Sequence, residues 1–240
     1  MPDRDASLFG MVGQAAPRSA LTAAQVVEAF DVAAATGRVL MEAYMWRHTP
    51  QPRRFVELLP EVGTLQSIRA TFSVRIGDPA DVRLRADLDG GSLMDVGCYA
   101  VSGARLVAGS EPERVLGEQT LAPSGVDMTF AGLLRFPAGV IALIASGFTS
   151  EHASLEAIGD AGSLLLRSPW NGEARSLRLG DREVPITPDD PYRLELDNMS
   201  AAILGEAAPL LGREDALGQA RTIAALYESA ATGTAVGPEA

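Results

Sequence analysis

Lysine is absent from this sequence, in which all 20 basic residues are arginine. Because a guanidinium group stays protonated at accessible pH, Schiff-base catalysis, a P-loop lysine and a lysine general acid are excluded. The single cysteine, Cys98, has no partner for an internal disulfide, and two histidines, His48 and His152, are too few for a structural zinc site. The sequence therefore predicts neither a disulfide framework nor a metal scaffold.

Long apolar runs and basic clusters are also missing. No apolar run approaches the roughly 20 residues that a membrane-spanning helix needs. The net charge is −11 with no basic block, so nothing attracts the chain to nucleic acid or to an anionic membrane. We expect a cytoplasmic protein whose partners are small molecules or other protein chains. With 47% hydrophobic residues, the 240-residue chain can build a buried core.

The first part of the chain is predicted to contain a leader, a helix and a strand. Residues 1–20 show no clear periodicity and are expected to form a leader that is disordered or foreign to the rest of the fold. Apolar residues at helical spacing predict a helix over 23–36, with Thr22 as its N-cap and Gly37 as its stop. The apolar run 38–46, which ends at a proline-rich segment, predicts a short buried strand.

The rest of the chain divides into a mixed region, a strand-rich region and two final helices. The predicted elements are a short helix over 55–59, a strand over 64–76, a charged loop over 78–89, a helix over 92–108 opened by Gly90 and Gly91, strands over 115–121, 128–136, 140–148, 153–159, 163–166, 177–179 and 183–186, and helices over 192–204 and 213–232. The tight connection Pro137-Ala138-Gly139 indicates that its flanking strands are antiparallel. We infer an α+β fold, with one large, mostly antiparallel open sheet and helices packed on one face.

Four segments resemble one family of enzymes. The sequence GGSLMDVGCY at 90–99 resembles the motif that opens the helix beside the active site in the Gfo/Idh/MocA oxidoreductases. The sequence GRVLMEAYMWR at 37–47 resembles the strand that enters the second domain of these enzymes. LDNM at 196–199 and EDAL at 214–217 are similar to the family's final helices, in the same order.

The resemblance covers about residues 21–236 and implies a domain organisation. Members of the family join an N-terminal Rossmann domain for NAD(P) to a C-terminal open sheet of the glucose-fructose oxidoreductase type. It implies that residues 21–37 are a helix from the end of the nucleotide-binding half and that 38–236 form the substrate-binding and dimerising domain. It also implies NAD(P) as cofactor, a sugar-like ligand and a homo-oligomer formed through the open sheet.

The part of the family pattern that carries the catalytic lysine has no counterpart here. Pro17 stands where the lysine is expected, and no glycine-rich turn follows a strand. We therefore expect this chain to bind no cofactor by itself and to be inactive alone. An arginine of the loop over 83–85 is a candidate electrostatic substitute for the lysine.

The same resemblance assigns site residues. It implies that Tyr99 is the acid/base partner of the substrate hydroxyl, in the branch that oxidises sugars or dihydrodiols. We predict Asp95, one helical turn earlier, Arg47 and Arg85 as substrate-binding residues. The alternative for Tyr99 is a packed ring with a satisfied hydroxyl, and the alternative for Asp95 is a first-turn carboxylate favoured by the helix dipole.

The family implies an NAD(P)-dependent oxidoreductase acting on the CH–OH group of a sugar, polyol or dihydrodiol. Two alternatives stay open at this point. The chain could be a ligand-binding or dimerisation module, or it could be a truncated or frameshifted fragment of such an enzyme. Titration with NADH and NADPH and size-exclusion chromatography separate the first two hypotheses.

Overall fold

The computed structural model describes residues 22–238, so the predicted leader 1–20 lies outside the described residues. The first helix, α1, spans Ala23–Ala35, as predicted. A capping box defines its start: the backbone N–H of Gln25 donates to the Thr22 hydroxyl, and the Gln25 side chain accepts from the backbone of Thr22. Its end is followed by Gly37, whose φ of 64° lies in the left-handed region that favours glycine.

The prediction of a strand over 38–46 is wrong. Residues 38–44 have no regular secondary structure, and Met45–His48 form a 3₁₀ turn. A strand needs a hydrogen-bonded neighbour, and this segment pairs with none of the described strands. Its apolar content is explained by packing instead, because the fully buried Trp46 lies edge-to-face against Trp170, with ring centroids 4.9 Å apart.

Eight strands form one sheet in the order β2-β3-β4-β1-β5-β6-β7-β8. The strands are β1 (Leu65–Ser73), β2 (Arg114–Leu121), β3 (Asp127–Arg135), β4 (Ile141–Gly147), β5 (His152–Gly159), β6 (Ser163–Arg167), β7 (Ser176–Leu179) and β8 (Arg182–Pro185). Only β1 and β4 run parallel, and all other neighbours are antiparallel. The Pro137–Gly139 turn joins β3 to β4, which confirms the predicted antiparallel connection.

Helices cover one face of this sheet. They are α2 (Pro50–Leu58), α3 (Cys98–Ala108), α4 (Pro191–Leu204) and α5 (Arg213–Thr232). Helix α3 packs over β1 and β4, α5 over β2, and α2 against β6, while α1 packs against α5 and α4 lies on the Met45–His48 turn. Helix α2 starts earlier than predicted, because Pro50 has no N–H to lose and its fixed φ suits the first helical position. The predicted α+β architecture is confirmed.

The other face of the sheet is open. One cross-strand row on this face can be followed through all eight strands, because each of its residues is paired with the next. The row consists of Leu116, Leu133, Leu143, Arg69, Glu156, Leu165, Arg178 and Glu183. Leu116, Leu133 and Leu143 are 37%, 43% and 46% exposed, so the β2-β3-β4 end of the open face is apolar.

A buried carboxylate joins the start of the predicted 92–108 helix to the sheet. The helix opens with a π-helical turn, Leu93–Gly97, which continues into α3. Asp127, at the start of β3 and fully buried, accepts from the Leu93 N–H at 2.7 Å and the Ser92 hydroxyl at 2.8 Å. Its other oxygen accepts from the Tyr227 hydroxyl of α5 at 3.1 Å. One side chain therefore holds sheet, π turn and α5 together.

We predict that Asp127→Ala destabilises the fold by about 3 kcal/mol or more, because three donors lose their buried acceptor. Asp127→Asn is the matched control: its amide oxygen can still accept from the π turn, and its NH₂ can donate to the Tyr227 hydroxyl. Asp127→Asn should therefore lower the free energy of unfolding by less than Asp127→Ala does. Urea unfolding followed by circular dichroism measures both variants. An alanine variant within about 1 kcal/mol of the wild type would contradict the anchoring role.

Candidate active site

Tyr99 is the second residue of α3 and is half-buried within a cluster of aromatic rings. Its ring meets those of Tyr44, Phe72 and Trp170 edge-on, at centroid distances of 5.3, 5.4 and 6.2 Å. Its hydroxyl donates to the Sδ atom of Met45 at 3.8 Å. A thioether is a weak acceptor, so the phenol can still form a strong hydrogen bond to another oxygen.

Tyr99 and Asp95 line the same open cavity, of about 510 Å³, beside the end of β1. The lining residues are Phe72, Val74, Arg75, Ile76, Gly77, Asp78, Asp81, Arg83, Asp95, Val96 and Tyr99. The π turn precedes α3 directly, and the four-residue spacing brings both side chains to one side of the helix start. The cavity therefore combines a phenol, carboxylates and guanidinium groups on an aromatic wall.

Arg83 is the guanidinium that the structure pairs with Asp95. Its Nε atom lies 2.9 Å from the Asp95 carboxylate, and its Nη1 atom lies 3.3 Å from Asp81. Arg85, which was predicted to bind substrate, instead pairs with Asp87 on the surface and does not line this cavity. The difference arises because Arg83 lies within a short 3₁₀ turn, Val82–Leu84, whereas Arg85 joins that turn to the next one, Ala86–Leu88, and the sequence does not specify the direction of either turn.

Arg47, the other predicted substrate-binding arginine, lies in a buried ionic cluster outside the cavity. Its Nη1 atom donates to the Ser102 hydroxyl at 3.1 Å and lies 3.6 Å from Asp215. Arg105 of the same cluster binds both oxygens of Glu111, at 2.6 and 2.7 Å, and donates to Gln219 at 3.0 Å. These contacts hold α3 against the start of α5.

Glu42 is an acidic member of this cluster. Burial raises the pKa of its carboxyl, the nearby Asp215 raises it further, and Arg105 partly opposes both effects. One oxygen of Glu42 and one of Asp215 are shielded from solvent without a hydrogen-bond partner among residues 22–238. The ionised form of Glu42 is therefore poorly accommodated in the folded protein.

Burial also governs the acidity of the cavity groups. It raises the pKa of Tyr99 to about 12, and the negative charges of Asp95 and Glu195 act in the same direction. Arg83 does not reverse this, since Asp95 and Asp81 engage its guanidinium. Burial raises the pKa of Asp95 as well, although Arg83 opposes the shift. At neutral pH Tyr99 keeps its proton and can serve as a donor.

The topology of the described residues bears on where a dinucleotide could bind. The only parallel strand pair in this part of the chain, β1 and β4, is separated in sequence by α3, β2 and β3 rather than by one crossover helix. The β-α-β unit with a glycine-rich turn that holds a pyrophosphate is therefore not present between Thr22 and Pro238. Within the same limits, no cluster of three His, Cys, Asp or Glu side chains could hold a metal ion.

Several cavity residues were not recognised from the sequence. Phe72, Arg75 and Asp81 line the cavity, and Glu195 of α4 acts electrostatically on Tyr99. The only available signal was the charged loop 78–89 beside a long strand. Alternation along β1 marked Phe72 as a core residue, which does not distinguish a cavity wall from the interior.

The fold, an open sheet covered by helices on one face, is that of an oxidoreductase C-terminal domain, as comparisons with known proteins show. Residues 60–165 match the GFO/IDH/MocA C-terminal domain model. D-xylose 1-dehydrogenase (NADP(+)) 2 of Haloferax volcanii is 36% identical over 226 residues, which are 90% of this chain and 69% of the relative.

Two solved structures are similar over most of the chain. An aldose-aldose oxidoreductase from Caulobacter crescentus, complexed with glycerol, has a TM-score of 0.83 at 26% identity and covers 90% of this chain and 69% of its own. A 3-ketoreductase from Actinomadura kijaniata, in complex with NADP and TDP-benzene, has a TM-score of 0.80 at 26% identity over 87% and 67%. This chain belongs to the Gfo/Idh/MocA family of oxidoreductases.

No helix between residues 22 and 238 has both the length and the apolarity to cross a bilayer.

We predict that Glu42→Gln raises the thermal unfolding midpoint at pH 7. A carboxyl whose pKa is raised by folding binds its proton more tightly in the folded state, so its contribution to stability falls as the pH rises above its ordinary value of 4.5. Glutamine has no charge to desolvate and does not repel the carboxylate of Asp215. The difference in unfolding midpoint between Glu42→Gln and the wild type should shrink towards pH 4.

Scanning calorimetry between pH 4 and pH 8 measures this difference. Glu228→Gln removes the same charge from an exposed position near the end of α5 and should leave the midpoint nearly unchanged. If Glu42→Gln is less stable than the wild type at pH 7, the ionised carboxylate is stabilising and the interpretation of the cluster is wrong.

Proposed function

We propose that this chain holds the substrate of an oxidoreductase acting on the CH–OH group of a sugar, polyol or dihydrodiol. The observation that carries the proposal is the shared cavity of Tyr99 and Asp95, in which the one acceptor that the phenol finds among residues 22–238 is a thioether. Relatives named for aldoses and for D-xylose support the substrate class.

Tyr99 is proposed to exchange the proton of the reacting oxygen. Its hydroxyl keeps its proton at neutral pH because burial raises its pKa to about 12, which suits donation to a carbonyl oxygen as that oxygen gains negative charge. Asp95, oriented by Arg83, is proposed to accept a hydrogen bond from a substrate hydroxyl. The ring of Phe72, which lines the cavity beside Tyr99, is proposed to provide an apolar surface for the substrate's C–H groups.

NAD(P) is the cofactor that the family implies for the hydride. Because the described residues do not fit the dinucleotide and the sequence contains no lysine, we propose that the chain alone is inactive. Its location is proposed to be the cytoplasm.

We predict that purified chain binds neither NADH nor NADPH at micromolar concentrations and does not oxidise D-xylose or glycerol. Calorimetric titration and absorbance at the nicotinamide band measure the two outcomes. Micromolar binding, or turnover of either alcohol, would contradict the proposed inactivity.

We predict that Asp95→Asn weakens D-xylose binding about tenfold in a tryptophan-fluorescence titration, because a charged acceptor is lost. Equal binding by the variant would count against the proposed substrate site.

A second proposed property is self-association through the open sheet face. The exposed row Leu116, Leu133 and Leu143, with Ile141 38% exposed at the start of β4, forms an apolar surface without a covering element among the described residues. A two-fold pairing would place this surface against its copy and bury it.

We predict that Leu133→Asp shifts the chain towards monomer, because a carboxylate in an apolar contact must be desolvated. Val32→Asp, an equally drastic change at a 57% exposed position of α1 away from the sheet, is the control. Size-exclusion chromatography with light scattering measures the mass. A wild-type chain that is monomeric at all concentrations would remove this proposal.

A further inference from the structure

The charges around the cavity are unusual for a site that would take an anionic substrate. Three carboxylates line it, on Asp78, Asp81 and Asp95, against the two guanidinium groups of Arg75 and Arg83. Arg83 is engaged by two of the carboxylates. The guanidinium group of Arg75 is exposed and, unlike that of Arg83, has no carboxylate within 4 Å among the described residues. The lining carries one net negative charge.

A further carboxylate approaches from α4. Glu195 has one oxygen that is shielded from solvent and has no hydrogen-bond partner among residues 22–238. Its charge, like that of Asp95, acts on Tyr99. The surroundings of the phenol are therefore rich in hydrogen-bond acceptors. A hydroxyl group can donate to such acceptors, whereas a phosphate group would meet only repulsion from them.

The remaining wall is aromatic and uncharged. Phe72 and Tyr99 line the cavity with ring centroids 5.4 Å apart, and the buried ring of Trp170 packs behind them, 6.2 Å from that of Tyr99. Trp170 is fixed in place because its indole N–H donates to the Thr71 carbonyl at 2.9 Å. The rings of Phe72 and Tyr99 can contact the C–H face of a sugar and make no use of a charge on the ligand.

We propose that this cavity takes an uncharged polyhydroxylated substrate, a free sugar or polyol, and discriminates against phosphorylated and nucleotide-linked sugars. The inference rests on the proposed function, in that the cavity must be the substrate site. It adds the substrate's charge, which the family does not determine: the similar proteins include both a D-xylose dehydrogenase and a 3-ketoreductase crystallised with TDP-benzene.

The test uses the full chain and the matched ligands D-glucose, D-glucose 6-phosphate and TDP-glucose. Trp46 and Trp170 are the only tryptophans and lie against each other in the aromatic cluster, so intrinsic fluorescence reports on this region. We expect the dissociation constant for glucose 6-phosphate to exceed that for glucose by about tenfold at low salt, and the ratio to shrink at an ionic strength of about 0.3 M because salt screens repulsion.

A pair of variants tests whether the cavity charge is the cause. Asp78→Asn removes a lining charge while its side-chain oxygen can still accept the Ala80 N–H that closes the local turn. It should reduce the discrimination about threefold, because one of the repelling charges is gone. Asp181→Asn removes the same charge from the β7–β8 turn, outside the cavity, and should leave the ratio unchanged.

The outcomes separate this inference from the function on which it rests. Tighter or equal binding of glucose 6-phosphate or TDP-glucose overturns the inference and leaves a substrate site in place. An equal effect of Asp78→Asn and Asp181→Asn also overturns it, since discrimination would then come from the net charge of the whole chain. Binding of none of the three ligands overturns both proposals.

Discussion

The buried carboxylate of Asp127 is the constraint on which the site depends. The π turn that carries Asp95 has no side-chain cap of its own, so its first N–H groups need an acceptor from elsewhere in the fold. Asp127 of β3 accepts from the Leu93 N–H, and its other oxygen accepts a hydrogen bond from the Tyr227 hydroxyl of α5. The direction in which Asp95 and Tyr99 project therefore depends on three parts of the chain that are distant in sequence.

The absence of lysine divides the chemistry of the protein between different side chains. Arginine cannot exchange protons, so the guanidinium groups act in charge pairing and orientation. Arg105 and Arg47 join α3 to α5 within the protein, whereas Arg83 orients Asp95 at the cavity. Proton exchange is the role we propose for Tyr99, which burial keeps protonated at neutral pH by raising its pKa to about 12.

The architecture of the sheet could be predicted from the sequence because each strand depends on short-range signals. Alternating apolar residues and turn residues such as those at 137–139 marked seven strand-length segments and one long strand, and the structure contains all eight strands. The segment 38–46 shows the limit of this reasoning. An apolar run predicts burial, and both a strand with neighbours and a packed irregular segment satisfy that requirement.

The sequence by itself determined the class of fold, the family motif around Tyr99 and the exclusion of lysine chemistry, because these follow from composition and local spacing. Only the tertiary structure decided that Arg83 rather than Arg85 meets Asp95, that Arg47 belongs to a buried ionic cluster, and that α4 brings Glu195 towards Tyr99. Such partnerships join residues up to about 170 positions apart, as with Arg47 and Asp215. Coulombic and hydrogen-bond energies depend on distances of a few ångströms, and those distances exist only once the chain has folded.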